Sequence, residues 1–496
     1  MNIAVSPSPP LEFSSSLLVL PVFSGALTGV STQLDEQLGG LISESLEMDG
    51  FKAKCGETRL LANPNGAAKR VLLLGIGAPD EFSVHILRRA AAKAIQGARS
   101  LQKLEIGFVL PDFESVSAQE AALAVGEGLM LGAHVFDDFK TGEKPAPVES
   151  VSILLENENE TEIESARKGL DLAAIFGEAT LRCRALVNLP SNLKKPETIA
   201  QAAREIAAEK GLRVEVWDEA RILEEKMGAL YGVGMGSEAP PRFIVLEYAP
   251  AGLENQAPIA LVGKGMSFDT GGYSLKPSAS MEDMKDDMAG AAVVLCAMSA
   301  LADLKIPRRV LGVIPSAENM VSERAQRPGD IVTARNGKTI EVLNTDAEGR
   351  LILADALVWT CEQKPSAIVD FATLTGAIGI ALGQEAAGLF SNDNDLSAAL
   401  AQAGENVGER VWRLPLWKEY RGAMKGSNSD LKNISGDRYA GSIVAAVFLE
   451  EFVEKGIPWA HFDIAAVSLV KKEKYLTQHG ATGFGVRMIL DYLRNH

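Results

Sequence analysis

The sequence predicts an α/β protein: a small N-terminal α/β domain at 1–160, a long connecting helix at 161–187, and a larger α/β domain at 188–496 with a mixed, mainly parallel central sheet. Three observations lead there. Short apolar runs alternate with longer helical patterns almost throughout, which is how helix-covered sheets are written in sequence. The composition turns polar near 137–160, where Asp137 to Pro147 carries two prolines and Glu156 to Glu160 reads ENENE, a loop or boundary signal. The chain of 496 residues, 47% hydrophobic and 23% charged, is ordinary for a globular protein and long enough for roughly two to four domains.

In chain order, the apolar run at 17–23 reads as a first buried strand. No Lys or Arg precedes it, so it lacks the start of a secretory signal. Strands are expected at 71–74, 106–110 and 151–155, with helices at 85–101 and 118–131 between them. A helix at about 162–187 is stopped before Pro190. Further strands are expected at 214–217, 244–246, 259–262, 310–314 and 368–371. No run approaches the roughly 18 apolar residues that span a bilayer, so no membrane partner is expected.

Charge and side-chain inventory narrow the chemistry. Lys and Arg number 49 against 65 Asp and Glu, a net charge of −16, which argues against nucleic acid as the main partner. Cys55, Cys183, Cys296 and Cys361 are scattered, with no CxxC pair, as in a reducing compartment; the cytoplasm is the expected location. His85, His134, His461, His479 and His496 form no HExxH pair, so a metal would rely on oxygen ligands or something less usual. Two glycine-rich stretches are poor phosphate loops. Gly232 to Gly236 reads GxGxG rather than GxGxxG, and Gly263-Lys264-Gly265 lacks the Ser or Thr that a P-loop lysine precedes.

Three segments carry candidate chemistry. Lys264, Asp269 and Lys276 flank a glycine-rich turn after an apolar strand, where α/β sheets bind ligands. Glu282, Asp283, Asp286 and Asp287 crowd what reads as the start of a helix with Met281, Met284, Met288, Leu295 and Met298 as its buried stripe. Acids favour a helix N-terminus, but four of them repel one another, and a dication would relieve that. In Asn344-Thr-Asp-Ala-Glu-Gly-Arg350, between a strand and a helix, Thr345 and Glu348 have the spacing of a capping box. Capping leaves Asp346 and Arg350 unexplained; Asp346 and Glu348, two apart, can point the same way in an extended turn. Three acid-bearing turns in one domain are how a carboxylate-bridged two-metal site would be built.

With those segments, the chain resembles the leucyl aminopeptidase family, also called cytosol aminopeptidases. Asn344-Thr-Asp-Ala-Glu-Gly-Arg-Leu351 matches its signature, and Gly263 to Lys276, Met284 to Ala291 and Thr373-Leu-Thr-Gly376 match other blocks. Val187 to Asn192 and Ala481 to Arg487 resemble its entry and C-terminal blocks. The resemblance spans about 185–496, and the stretch 468–480, with Lys471, Lys472, Lys474 and His479, matches none of them.

The resemblance implies a metallo-exopeptidase that releases N-terminal leucine and other apolar residues. Lys264, Asp269, Asp287, Asp346 and Glu348 would hold two divalent metals per subunit, zinc or manganese, with magnesium or cobalt as other choices. Asp269 and Glu348 would bridge them, Asp346 would serve one, and a neutral Lys264 with Asp287 the other. Lys276 would stay charged and stabilise the oxyanion, and Arg350 would hold a bicarbonate acting as general base. Met284, Asn344, Thr373, Leu374 and Gly376 would line the site for the first residue of a peptide with a free N-terminus, in a homohexamer. A two-metal phosphoryl hydrolase is the alternative within the same ligand chemistry; the lysine ligand argues against it.

Overall fold

A computed structural model describes residues 1–25, 27–47, 50–99, 101, 105–113, 116–142, 148–156 and 159–496. Parts of both polar boundary stretches, 143–147 and 157–158, lie outside the described residues. The chain forms two compact α/β units, Met1–Glu178 with Lys471–His479, and Ala179–Val470 with Gly480–His496. Among the described residues no helix is long and apolar enough to cross a membrane.

The first unit holds a six-stranded sheet in the order Asn2–Ser6, Ser150–Leu155, Glu105–Leu110, Leu17–Val22, Arg70–Gly75, Thr58–Ala62. All neighbours are parallel except the last pair. Leu17–Val22 is buried along its whole length, as a central parallel strand should be. It is the second strand of the chain: Asn2–Ser6 precedes it at the sheet edge, where half-buried residues leave little apolar pattern to read. The segment Lys471–His479 groups with this unit through Lys93 with Glu473, Arg89 over the Tyr475 ring at 3.9 Å, and Gln478 donating to the Gly132 carbonyl at 3.1 Å.

The helix Glu160–Asn188 is continuous, and the division between the compact units falls inside it. The second unit holds a nine-stranded sheet in the order Val411–Arg413, Ala387–Ser391, Trp459–Asp463, Ala367–Ala372, Ile259–Gly263, Val310–Asn319, Arg242–Tyr248, Arg213–Trp217, with Gly265–Asp269 beside the end of Val310–Asn319. The four central strands and Gly265–Asp269 run parallel, and antiparallel strands flank them. Ile259–Gly263 (IALVG) and Ala367–Ala372 are buried throughout because helices such as Ala289–Ala300 and Gly349–Glu362 cover the sheet. The glycines Gly232 and Gly234 sit inside the buried helix Gly228–Gly234, away from any phosphate loop.

One element departs from expectation. The helix expected from Met281 starts at Ala289. Before it the chain makes a short helical turn, Ser278–Met281, and a 3₁₀ turn, Met284–Asp286. Met288, Leu295 and Met298 are buried, whereas Met281 and Met284 are half-buried and belong to no common stripe. Asp286 and Asp287 are buried here, and a regular helix would give way to the turn that lets each find its own partners.

Candidate metal centre and active site

The centre is assembled at the carboxyl ends of parallel strands, where open α/β sheets place ligands. Lys264 follows Ile259–Gly263, Asp269 ends Gly265–Asp269, Thr373 follows Ala367–Ala372, and Asp463 ends Trp459–Asp463. Asp287 comes from the turn before Ala289–Ala300, and Asp346 and Glu348 from the loop before Gly349–Glu362. These segments meet around a cavity of about 250 Å³. Lys264, Asp269, Lys276, Met284, Asp287, Asp346, Glu348, Arg350, Thr373, Leu374 and Gly376 all line it.

Lys264 Nζ is the buried hub. It lies 2.7 Å from Asp287 Oδ1 and 2.9 Å from Glu348 Oε1, and donates to the Thr373 carbonyl at 2.9 Å. Burial draws its proton off, but the carboxylates of Asp287, Glu348 and Asp269 outweigh burial and hold the ammonium well above the ordinary lysine range. Gly349 makes the approach possible: a Cβ there would stand 2.5 Å from Lys264 Cε. Lys276 Nζ lies 2.8 Å from Asp269 Oδ2 and also pairs with Asp346. Burial lowers it too, and Asp269 and Glu348 more than compensate.

The carboxylates show the opposite strain. Burial raises Asp287 well above the usual carboxylate range and raises Asp346 and Glu348, each also pushed up by neighbouring acids and pulled down by the lysines. Ligand oxygens of Asp269, Asp346 and Glu348 lie within 4.8 Å of one another. Asp287 Oδ2 is buried and has no hydrogen-bond partner among the described residues. Close, buried, mutually repelling carboxylate oxygens with one unpartnered are a donor set that fits hard divalent cations. Such charge would also cancel the field that keeps Lys264 protonated, which is what a lysine ligand requires.

Arg350 is buried, its Nη1 donates to the Asn433 carbonyl at 2.7 Å, and its Nε has no partner among the described residues. Burial pushes its pKa down to about 10, which leaves it cationic at neutral pH. That is a fair anchor for a small anion. Of the expected site residues, Asn344 does not line the cavity; its Oδ1 accepts the Asp346 N–H at 2.8 Å. The capping box is not formed either. Glu348 is the N-cap residue and its side chain makes no capping bond, and Thr345 Oγ1 donates to the Gly271 carbonyl and accepts from Ser274 N–H. The threonine thus ties the Asp346 loop to the Gly271–Ser274 turn, whose start needs the positive φ (85°) that Gly271 supplies.

Several further residues complete the site, and two of them, Asn319 and Asn433, lie in none of the blocks matched in the sequence. Asn319 Nδ2 donates to Asp269 Oδ1 at 2.8 Å and to the Thr345 carbonyl at 2.9 Å. Asn433 Oδ1 accepts Leu343 and Asn344 N–H, and its Nδ2 donates to the Asn344 carbonyl, so one buried amide fixes the start of the metal loop. Asp463 accepts from Leu374 N–H, Thr375 N–H and Thr375 Oγ1. Asp286, Thr375 and Ala465 add to the lining. Asp463 opens the stretch Asp463 to Val467, which itself resembles the family pattern, whereas the signal available for Asn319 was a polar residue ending a mostly apolar strand.

Residues 181–490 match the profile of the cytosol aminopeptidase family, catalytic domain, and residues 19–143 that of its N-terminal domain. A probable cytosol aminopeptidase of Syntrophotalea carbinolica is 43% identical over 502 residues, 99% of each chain. A second from a Geobacter species is 41% identical over 497 residues, 100% of each chain. Among solved structures, a mutant of tomato leucine aminopeptidase has a TM-score of 0.90 at 34% identity, over 100% of this chain and 97% of that one. The bottromycin maturation enzyme BotP in complex with Mn has a TM-score of 0.85 at 35% identity, over 97% and 99%.

Proposed function

Since the chain belongs to the cytosol aminopeptidase family and is a metal-dependent aminopeptidase, a peptide hydrolase, we propose that it removes leucine and other apolar residues from peptides with a free N-terminus, using two divalent ions. The observation that carries the reading is the convergence of four carboxylates and Lys264, from three separated segments, on one cavity. In it Asp269 and Glu348 would be shared by both ions, Asp346 would serve one, and Lys264 with Asp287 the other. Manganese or zinc is the proposed metal, the first because of the Mn bound to BotP, with magnesium or cobalt as further choices.

Bound divalent ions would supply Lewis acidity and a water of lowered pKa. The chain's own groups do the rest. Lys276 carries its positive charge into the cavity and stabilises the oxygen on which charge develops. Arg350 would hold bicarbonate, whose charge complements a buried guanidinium whose Nε–H has no partner among the described residues. Met284, Leu374, Thr373 and Gly376 border the space for the first residue, and the first two favour an apolar side chain. Asn344 acts instead by fixing the Asp346 backbone. The resemblance to leucyl aminopeptidases extends the proposal to a cytoplasmic homohexamer, and four free cysteines agree with a reducing compartment.

The test is a panel of free and N-acetylated leucyl substrates with metal counted per chain. The free amine is required here, so only unblocked substrates should turn over, at two ions per chain. Equal rates for both forms would reject the reading.

A further inference from the structure

A lysine outside the catalytic set is fully buried, held by backbone carbonyls and attracted by the Asp286 carboxylate nearby. Lys194 lies in the turn that follows the helix Glu160–Asn188, and its side chain has no solvent exposure. Its Nζ donates to the carbonyls of Leu186 at 3.1 Å, Val187 at 2.7 Å and Lys285 at 2.6 Å. An ammonium has three N–H donors, so all are used and none is left for substrate or proton transfer. Two of these acceptors are carbonyls in the last turn of a helix, which have no partner inside it and attract a cation. The third belongs to the 3₁₀ turn Met284–Asp286, directly before Asp287.

A second tie runs the other way. Lys285 Nζ donates to the Asn188 carbonyl at 3.2 Å, in the same helix end. Ser468 Oγ donates to Asp286 Oδ2 at 3.1 Å and steadies the turn from its other side. The Asp287 backbone is therefore pinned to a helix terminus, whereas the Asp346 and Glu348 loop is pinned independently by Asn433. We propose that Lys194 is a positioning residue that holds the Met284–Asp286 turn against the helix end, so that Asp287 keeps its place beside Lys264 as a ligand of one metal and not the other.

This rests on the two-metal reading above, and calorimetric titration of the metal-free, full-length protein with MnCl₂ separates the two. Wild type is expected to bind in two steps, and Asp287→Ala identifies the step that Asp287 serves. Lys194→Met should weaken that step on the order of tenfold or more, the usual effect of losing a residue that orients a ligand, and leave the other unchanged. A folded Lys194→Met with wild-type affinities overturns the proposal, and so does equal weakening of both steps, which marks general loosening. If Lys194→Met does not fold, Lys285→Met removes the second tie alone and should weaken the same step less; no change there also overturns it. If Asp287→Ala alters neither step, the ligand reading fails and the positioning role with it.

Discussion

Each unit of this chain ends its parallel strands in loops around a cavity, and the two cavities are built from different chemistry. In the first unit the space beyond Glu105–Leu110 and Ser150–Leu155 is about 540 Å³, larger than the 250 Å³ of the metal centre. Two of its polar groups, Glu156 and Ser117, are already occupied. Glu156 accepts the Val30 N–H at 3.0 Å, at the start of the helix Val30–Gln37, and Ser117 with Glu120 closes a capping box. In the second unit the strand ends present Lys264, Asp269 and, close by, an Asp287 oxygen without a partner among the described residues. The architecture offers a position; the polar groups left unspent there decide whether it can bind anything. Volume is a poor guide to which loop cluster does chemistry.

The sharpest way to break that contrast is to delete one acid from each cavity. Glu348→Ala should reduce turnover of a leucyl anilide to background, whereas Glu156→Gln should leave kcat unchanged and lower only the thermal midpoint. Comparable kcat losses would show that the first unit shares in the chemistry. Removing metal comes next: a chelator should abolish activity, Mn²⁺ should restore it, and added Mn²⁺ should raise the melting temperature of the stripped protein because it binds only the folded form. Lys276→Ala should cost on the order of 10²- to 10³-fold in kcat while KM moves little, as expected for a charge used mainly in the transition state. A loss confined to KM would make it a substrate anchor.

The smallest expected effect concerns the scaffold. Asp355 is a buried residue of the helix Gly349–Glu362, and burial pushes its carboxyl up to about 7, against the N–H groups of Leu230, Arg335 and Ala229. An acid whose folded pKa is raised binds more protons folded than unfolded. Its contribution to stability therefore falls as pH rises from about 4 toward 7 and is level above. The melting temperature of wild type minus that of Asp355→Asn should shrink between pH 5 and pH 8; a constant difference would place the cost elsewhere.

What could be read from sequence was local. Acids packed into turns are visible because adjacent carboxylates are costly without a partner, and the apolar strands ahead of them place those turns at sheet ends. The same reasoning misplaced the helix start at Met281, because methionines at 3- and 4-residue spacing look alike whether or not Asp286 and Asp287 interrupt the helix between them. It took Thr345 for a cap because spacing cannot reveal a competing acceptor 74 residues away at Gly271. Asn433 and Lys194 were invisible for a related reason: they act on backbone atoms of distant segments, and backbone acceptors leave no trace in residue identity.

The contact between Gly349 and the Lys264 side chain has one more consequence. With room for a hydrogen and nothing larger over its methylenes, Lys264 has almost no rotamers to lose when an ion arrives. Most of the ordering entropy of this ligand was spent during folding, so metal capture should be fast and should need no rearrangement of this side chain. Gly349→Ala would force the lysine aside, and slowed, weakened loading in a protein of otherwise native fold would be its mark.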